Sequence, residues 1–209
     1  MGTLKKIENY ILPHEVDFFD HLQKQSGLTK NIIDELYHIY IEQSSSSITL
    51  LKKMIQQAQD LRRENLKELY NIFITPVDKE AISRAYVNLD WVVMSIEHMQ
   101  VELEIYEITN LTEYKTILDI LREEMSDIHI GFGELNKNNF ENFSKLVFNV
   151  VHHDNELIKE YAHQVSLLFN SNDIKKIITR KEILSQMKEI SKRIRICAND
   201  LEDMLFKMT

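Results

Sequence analysis

Apolar positions recur at three- and four-residue spacing over most of the chain, and the sparse breaks between these stretches divide it into six long helical segments. The first begins after Pro13 with Val16, Phe18, Phe19 and Leu22, breaks at Ser26-Gly27, and resumes with Thr29 as an N-cap before Ile32, Ile33, Leu36, Ile39 and Tyr40. It reads as one kinked helix or as two short ones. The serine run at 44–47 reads as a helix-to-helix turn in preference to a phosphorylated linker. A second helix carries Ile48, Leu51, Ile55, Ala58, Leu61, Leu66, Leu69 and Ile72 and must stop before Pro76, which restricts Thr75 and has no N–H to donate. Asp78 then stands as the N-cap of a helix of about thirty residues with Ile82, Ala85, Leu89, Val92, Val93, Ile96, Met99, Leu103 and Tyr106 as its buried stripe. A fourth helix is expected over 111–135 with an interruption at Gly131-Phe132-Gly133, a fifth over 140–169, and a sixth from Thr179 to Lys207.

The halves repeat one plan, a long helix ending in Phe, a connector, then a basic–acidic–apolar helix start: Phe73 before Lys79-Glu80-Ala81-Ile82, and Phe169 before Lys181-Glu182-Ile183. The expected fold is all-α, two tandem antiparallel three-helix bundles over 1–109 and 110–209 in one compact pseudo-repeat protein.

Composition narrows the chemistry. With only 4 Gly and 2 Pro in 209 residues, against a usual combined share of about 12%, no phosphate-cradling glycine loop can be built, and β-rich folds are disfavoured. The net charge of -8 opposes nucleic-acid binding. One cysteine, Cys197, forms no internal disulfide and sits on an apolar helix face as a buried thiol, which fits a reducing cytoplasm. No apolar run approaches the roughly 18 residues needed to span a membrane.

Helical proteins hold metals with carboxylates and histidines one turn apart on facing helices. Asp60 with Glu64, His98 with Glu102, and His152 with Glu156 have that spacing, and the run His152-His153-Asp154-Asn155-Glu156, followed by Glu160 and His163, is the densest group. Imidazole with carboxylate suits zinc, iron or manganese, so His152, Asp154 and Glu156 are the candidate ligands in the second half. Solvated helix faces account for the other pairs. Trp91 and the methionines 54, 94, 99, 125, 187 and 204 read as core filler. A basic stretch, Lys188, Lys192, Arg193 and Arg195 with Arg180 and Lys181 before it, suits an anionic surface or an acidic partner, and equally a solvated face. No oriented Ser–His–acid set is evident.

The run from Leu66 to Ile82, with Leu69, Phe73, Ile74, Thr75 and Pro76 followed by Asp78, Lys79, Glu80 and Ile82, and then Leu89-Asp90, resembles the PhoU-like family of Pit-associated phosphate transport accessory proteins. Members carry Leu-x-x-x-Phe-Ile-Thr-Pro, then Asp-Arg-Glu-Asp-Ile, then a long helix with Leu-Asp-Asp. Leu168-Phe169, Arg180-Lys181-Glu182-Ile183 and Ala198 continue the likeness in the second half. The resemblance implies two three-helix bundles, multinuclear iron or zinc clusters held by Glu(Asp)-x-x-x-Asp pairs, and a role in regulating phosphate uptake beside a membrane permease. The acids of those clusters are thinned out here: the second helix reads Ile55-Gln56-Gln57-Ala58-Gln59-Asp60, the third reads Asp90-Trp91-Val92-Val93-Met94, and the last offers Lys192, Ile194 and Arg195. Asp60, Glu64 and Asp90 are the remnants of the family positions, and a cation among carboxylates would repel a metal, so the sites are expected to have become dry or neutral packing.

The expected function is therefore that of a non-enzymatic cytoplasmic accessory or regulatory protein of phosphate transport. It would act by contact with a membrane phosphate permease or another regulator, peripherally and not as an integral protein, with no nucleic acid involved. The alternative is a metal-binding helical module with one site retained in the second half; no cofactor is expected, and iron or zinc are the ions such a site would take. Long amphipathic helices in tandem bundles leave apolar stripes uncovered, which predisposes the chain to pair as a homodimer.

Overall fold

A computed structural model describes residues 16–44, 47–135 and 140–208, which comprise six α-helices and no strand. They are α1 (Phe18–Tyr40), α2 (Ile48–Asn71), α3 (Lys79–Ile105), α4 (Lys115–Glu134), α5 (Phe140–Leu168) and α6 (Ile174–Met208), with one 3₁₀ turn (Thr112–Tyr114) leading into α4. The start of the first predicted segment and the middle of the serine run lie outside the described residues.

Short polar side chains start the helices. Asp17 accepts from the Phe19 and Asp20 amides at 3.1 and 3.0 Å, Ser47 from Leu50 at 3.1 Å, and Asp78 from Glu80 at 3.2 Å. Asp173 accepts from Lys176 at 3.0 Å, which starts α6 at Ile174 and not at the predicted Thr179. This earlier start sharpens the internal repeat. Phe169 lies four residues before its cap Asp173, much as Phe73 lies five before Asp78, so the second cap and not Lys181 is the counterpart of the first.

The first segment is one helix, not two, and the interruption predicted in the fourth is absent. α1 runs through Ser26-Gly27 and α4 through Gly131 and Gly133, because these glycines serve close approach between helices and not chain reversal. A Cβ on Gly131 would come within 2.3 Å of the Leu201 side chain on α6. Reversal is done instead by non-glycine residues: Gln43 and Glu107 follow α1 and α3 with φ of 49° and 57°. After α3, the Ile108 amide bonds the Leu103 carbonyl at 2.9 Å and the Glu107 amide bonds Glu104 at 3.2 Å, a Schellman closure with buried Ile108 folded back onto buried Leu103.

Each half packs its three helices on one another, and α3 lies along α6 in the most extensive helix–helix contact of the molecule, with α1 against α4. The buried apolar residues form one continuous cluster through both halves. Along α3 and α6 the pairs Asp78–Lys207, Arg84–Asp200, Arg193–Trp91 and Glu102–Gln186 run in opposite chain directions, so the two helices are antiparallel. The connector before α3 and the connector before α6 therefore lie at opposite ends of that pair.

Replacing exposed Glu107 by glycine removes the side chain from a left-handed backbone position, so Glu107→Gly is expected to stabilise the protein by about 0.5–1 kcal/mol, read as a rise in the urea midpoint at unchanged slope.

Candidate functional site

The predicted trio in the second half is not brought together. His152 and Glu156 pair with each other one turn apart at 3.4 Å on the outer face of α5, both largely in water. Asp154, between them in sequence, points the other way into the bundle and is buried, since 100° per residue puts it across the helix axis from both. There it pairs with Arg195 on α6. His163 keeps to Glu160 at 3.7 Å on its own helix.

What Asp154 joins is a buried polar network that the pattern of ligand residues did not disclose. Glu124 of α4 is fully buried; the Ser191 hydroxyl lies 2.7 Å from one of its oxygens and 3.3 Å from an oxygen of Asp154. The second Glu124 oxygen is buried without a hydrogen-bond partner. Burial pushes the Glu124 carboxyl up to about 8, with the Asp154 charge adding to the rise and Ser191 and Arg195 opposing it. One hydroxyl proton serves only one of the two carboxylates at a time, and a neutral Glu124 supplies the second proton. The nearby His153 lies 3.5 Å from Glu123 and 4.0 Å from the burial-raised Asp127. The sequence signal that could have found Glu124 is its position: it shares the stripe of Ile117, Leu121 and Ile128, where an acid must be buried.

In the first half, Asp60 is exposed and held by Arg63 and by Gln56 at 3.1 Å, and Glu64 is exposed as well. Asp90 is buried 3.6 Å from Arg62, with one oxygen unpartnered, and burial raises its carboxyl while Arg62 opposes the rise. The three remnant acids do not converge. An open cleft of about 530 Å³ lies between α2 and α3, lined by Gln56, Gln59, Arg62, Arg63, Asp90, Met94 and Glu97. Of the expected dry or neutral packing, the dry alternative is corrected here: amides and a carboxylate–guanidinium pair keep this position polar.

Iron or zinc clusters of the kind the PhoU-like resemblance implies do not fit this donor set. Each buried acid at these positions is matched to a guanidinium, Asp90 to Arg62 and Asp154 to Arg195, and among the described residues no three His, Cys, Asp or Glu side chains converge as a metal set. Arg193 pairs with Glu189 at 2.7 Å, Lys192 with Glu189 at 3.7 Å and Arg180 with Glu113 at 3.2 Å, so the basic stretch of α6 is largely balanced within the molecule.

Two further residues depart from expectation. Met99, Met125, Met187 and Met204 are core, as predicted, but Trp91 and Met94 are exposed, with the Arg193 guanidinium 4.4 Å over the indole. In the connector between α2 and α3, Phe73 is 98% and Ile74 86% exposed, with Tyr70 exposed just before them. The connector is nonetheless tightly defined. The Thr75 hydroxyl donates to the Val77 carbonyl at 2.6 Å, Val77 is buried, Pro76 limits the backbone, and Asp78 both caps α3 and meets Lys207 at 3.3 Å.

No protein-family model matches the chain. It is 26% identical over 189 residues to UPF0111 protein YkaA of Bacillus subtilis (strain 168), an alignment covering 86% of this chain and 92% of that protein. No helix among the described residues is long and apolar enough to cross a membrane.

A buried acid whose folded value, about 8, lies above its unfolded value of 4.5 stabilises fully below the unfolded value and loses that contribution as pH rises toward 8. Glu124→Gln removes this loss: it is expected to change stability little at pH 5 and to raise it by roughly 4 kcal/mol at pH 8.5, read by urea unfolding at both pH values.

Proposed function

We propose that this protein is a non-catalytic accessory or regulatory protein of inorganic-phosphate transport, working at the cytoplasmic face by contact with a membrane phosphate permease or a second regulator. The observation that carries the reading is the connector between α2 and α3. Its Phe-Ile-Thr-Pro residues are those by which the chain resembles the PhoU-like family, and its two large apolar side chains, Phe73 and Ile74, stand in water on a backbone held by Pro76, Thr75 and the Asp78 cap. Buried in a core they would each contribute about 1.5–3 kcal/mol; exposed, they contribute nothing to this fold and are available to a partner. A preformed connector loses little entropy on docking.

The likeness to UPF0111 protein YkaA supports the reading by its extent, since it runs almost end to end in both chains, as a shared whole-protein role requires. The paired state of Asp90 and Asp154 favours action by contact over action through a metal cluster.

The test is phosphate uptake in cells lacking the protein, restored by the wild type or by a Phe73→Ser, Ile74→Ser double variant, with co-purification of the permease scored in parallel. Deletion is expected to change uptake, and the variant, with unaltered helicity, to lose at least tenfold in permease recovery and to fail in restoration. Unchanged uptake on deletion, or full restoration by the variant, would reject the proposal.

A further inference from the structure

We infer that the α5–α6 connector and the first turns of α6 seat the protein on an anionic lipid surface. Leu167 is 48%, Phe169 68%, Ile174 72% and Ile178 63% exposed. A single exposed apolar side chain is ordinary, whereas four within twelve residues at one end of the molecule form a patch. Ile174 and Ile178 stand one turn apart on α6, and at 100° per residue Ile183, Leu184 and Met187, by which the helix enters the core, fall on its opposite side. The buried contacts of α6 therefore begin more than a turn beyond the two isoleucines, which face outward.

Cations rim the patch. Lys175, Lys176 and Lys181 are exposed, and none has an ion pair among the described residues, while Arg180 is held by Glu113 at 3.2 Å. Lys175 and Lys181 lie about 60° to either side of Ile178 around the helix, so their ammonium groups border an apolar strip. From Phe169 to Glu182 there are four cations against two acids, Asp173 and Glu182, and Asp173 is engaged in capping α6 through the Lys176 amide. The corresponding stretch from Phe73 to Val87 has two against two, and its Arg84 is taken by Asp200 and Asp203. Both connectors expose a phenylalanine; only the second adds an excess of positive charge, in a chain whose net charge is -8.

Lysines beside aliphatic side chains suit the headgroup region of a bilayer. The apolar groups enter the acyl boundary, and the alkyl stems of the lysines let their ammonium groups stay among the phosphates. Apolar burial and charge attraction add, so two signals that are each weak hold a protein at such a surface. The acidic remainder of the chain is repelled by an anionic layer, and charge thereby selects this end for the approach. An acidic protein is the poorer match: interface anchors are enriched in Trp, Tyr and Arg, whereas three of the four apolar side chains here are aliphatic and the arginine is already paired. The contact is peripheral, since no helix among the described residues is long and apolar enough to cross a membrane.

The full-length protein is sedimented with vesicles of phosphatidylcholine alone and with vesicles containing about one quarter phosphatidylglycerol, in about 0.1 and 0.5 M salt, over which the Debye length falls from about 10 Å to roughly 4 Å. Expected is at least about tenfold stronger binding to the anionic vesicles, lost at the higher salt. Phe169→Ser with Ile174→Ser, and separately Lys175→Glu with Lys176→Glu, are each expected to weaken it at least about tenfold with unchanged far-UV dichroism. Phe73→Ser with Ile74→Ser, at the opposite end of the molecule, is expected to leave it intact. With Trp91→Phe removing the one native tryptophan, Phe169→Trp is expected to report entry into the lipid by a blue shift of its emission. No binding to either vesicle, equal binding to both, binding that survives either patch variant, equal loss in the Phe73 variant, or an unshifted emission would overturn the proposal. Retention on immobilised polyglutamate without vesicle binding would overturn it too and assign the patch to an acidic protein. The assay contains neither permease nor phosphate, so its outcome is separate from the phosphate-transport reading.

Discussion

The antiparallel contact of α3 with α6 is the constraint on which the rest of the molecule depends. It sets two helices of the separate halves side by side and places Asp200 where water is nearly excluded. Such an acid is tolerable only when it is met by donors, and Arg84 at 3.1 Å and Asn88 at 2.5 Å, both on α3, supply them from across the interface. Burial still raises the Asp200 carboxyl, with those two hydrogen bonds opposing the rise. The polar contact thus fixes the register between the halves, while the apolar cluster that runs through both provides the area. Because the pair is antiparallel, the Phe73 connector lies at one end and the Phe169 connector at the other, and the outer face of α3 is left clear between them.

A second theme is the fate of buried acids. A carboxylate in a helical core has three ways to persist: bound to a cation, paired with a guanidinium, or neutral. The last two describe the acids at these positions among the described residues. Asp90 and Asp154 have arginines, and burial pushes Glu124 toward its neutral form, with Ser191 linking it to Asp154. A guanidinium on the acid compensates the charge that a metal ion would otherwise neutralise, which is why positions that resemble ligand sites in sequence lack the character of ligand sites in space.

Two outward-facing features are large and apolar. The connector at Phe73-Ile74 and the face of α3 from Trp91 to Ile105 both expose large side chains, about 20 Å apart along α3. One is an end-on projection and the other a lateral face.

Much of the fold was legible in the order of residues, because helical periodicity is a local property. The stripe from Ile82 to Leu103, the stop before Pro76, the Asp78 cap and the buried Cys197 all follow from neighbours within a turn or two. The apparent breaks at Gly27 and Gly131 were misleading because a glycine that ends a helix and one that admits a neighbouring helix look alike until the neighbour, here Leu201, is in place. Trp91 and Met94 carried the composition of core and lie outside it, since hydrophobicity shows that a face wants cover but not whether its own chain provides it. Of the candidate site, the residue types were readable and their meeting was not: His152, Asp154 and Glu156 are adjacent in sequence yet face opposite sides of α5, whereas Glu124, Asp154 and Ser191 come from three helices. Which side chains share a helix face is set by the 3.6-residue turn and belongs to the sequence; which faces meet is set by how whole helices pack, and only the tertiary structure decided it.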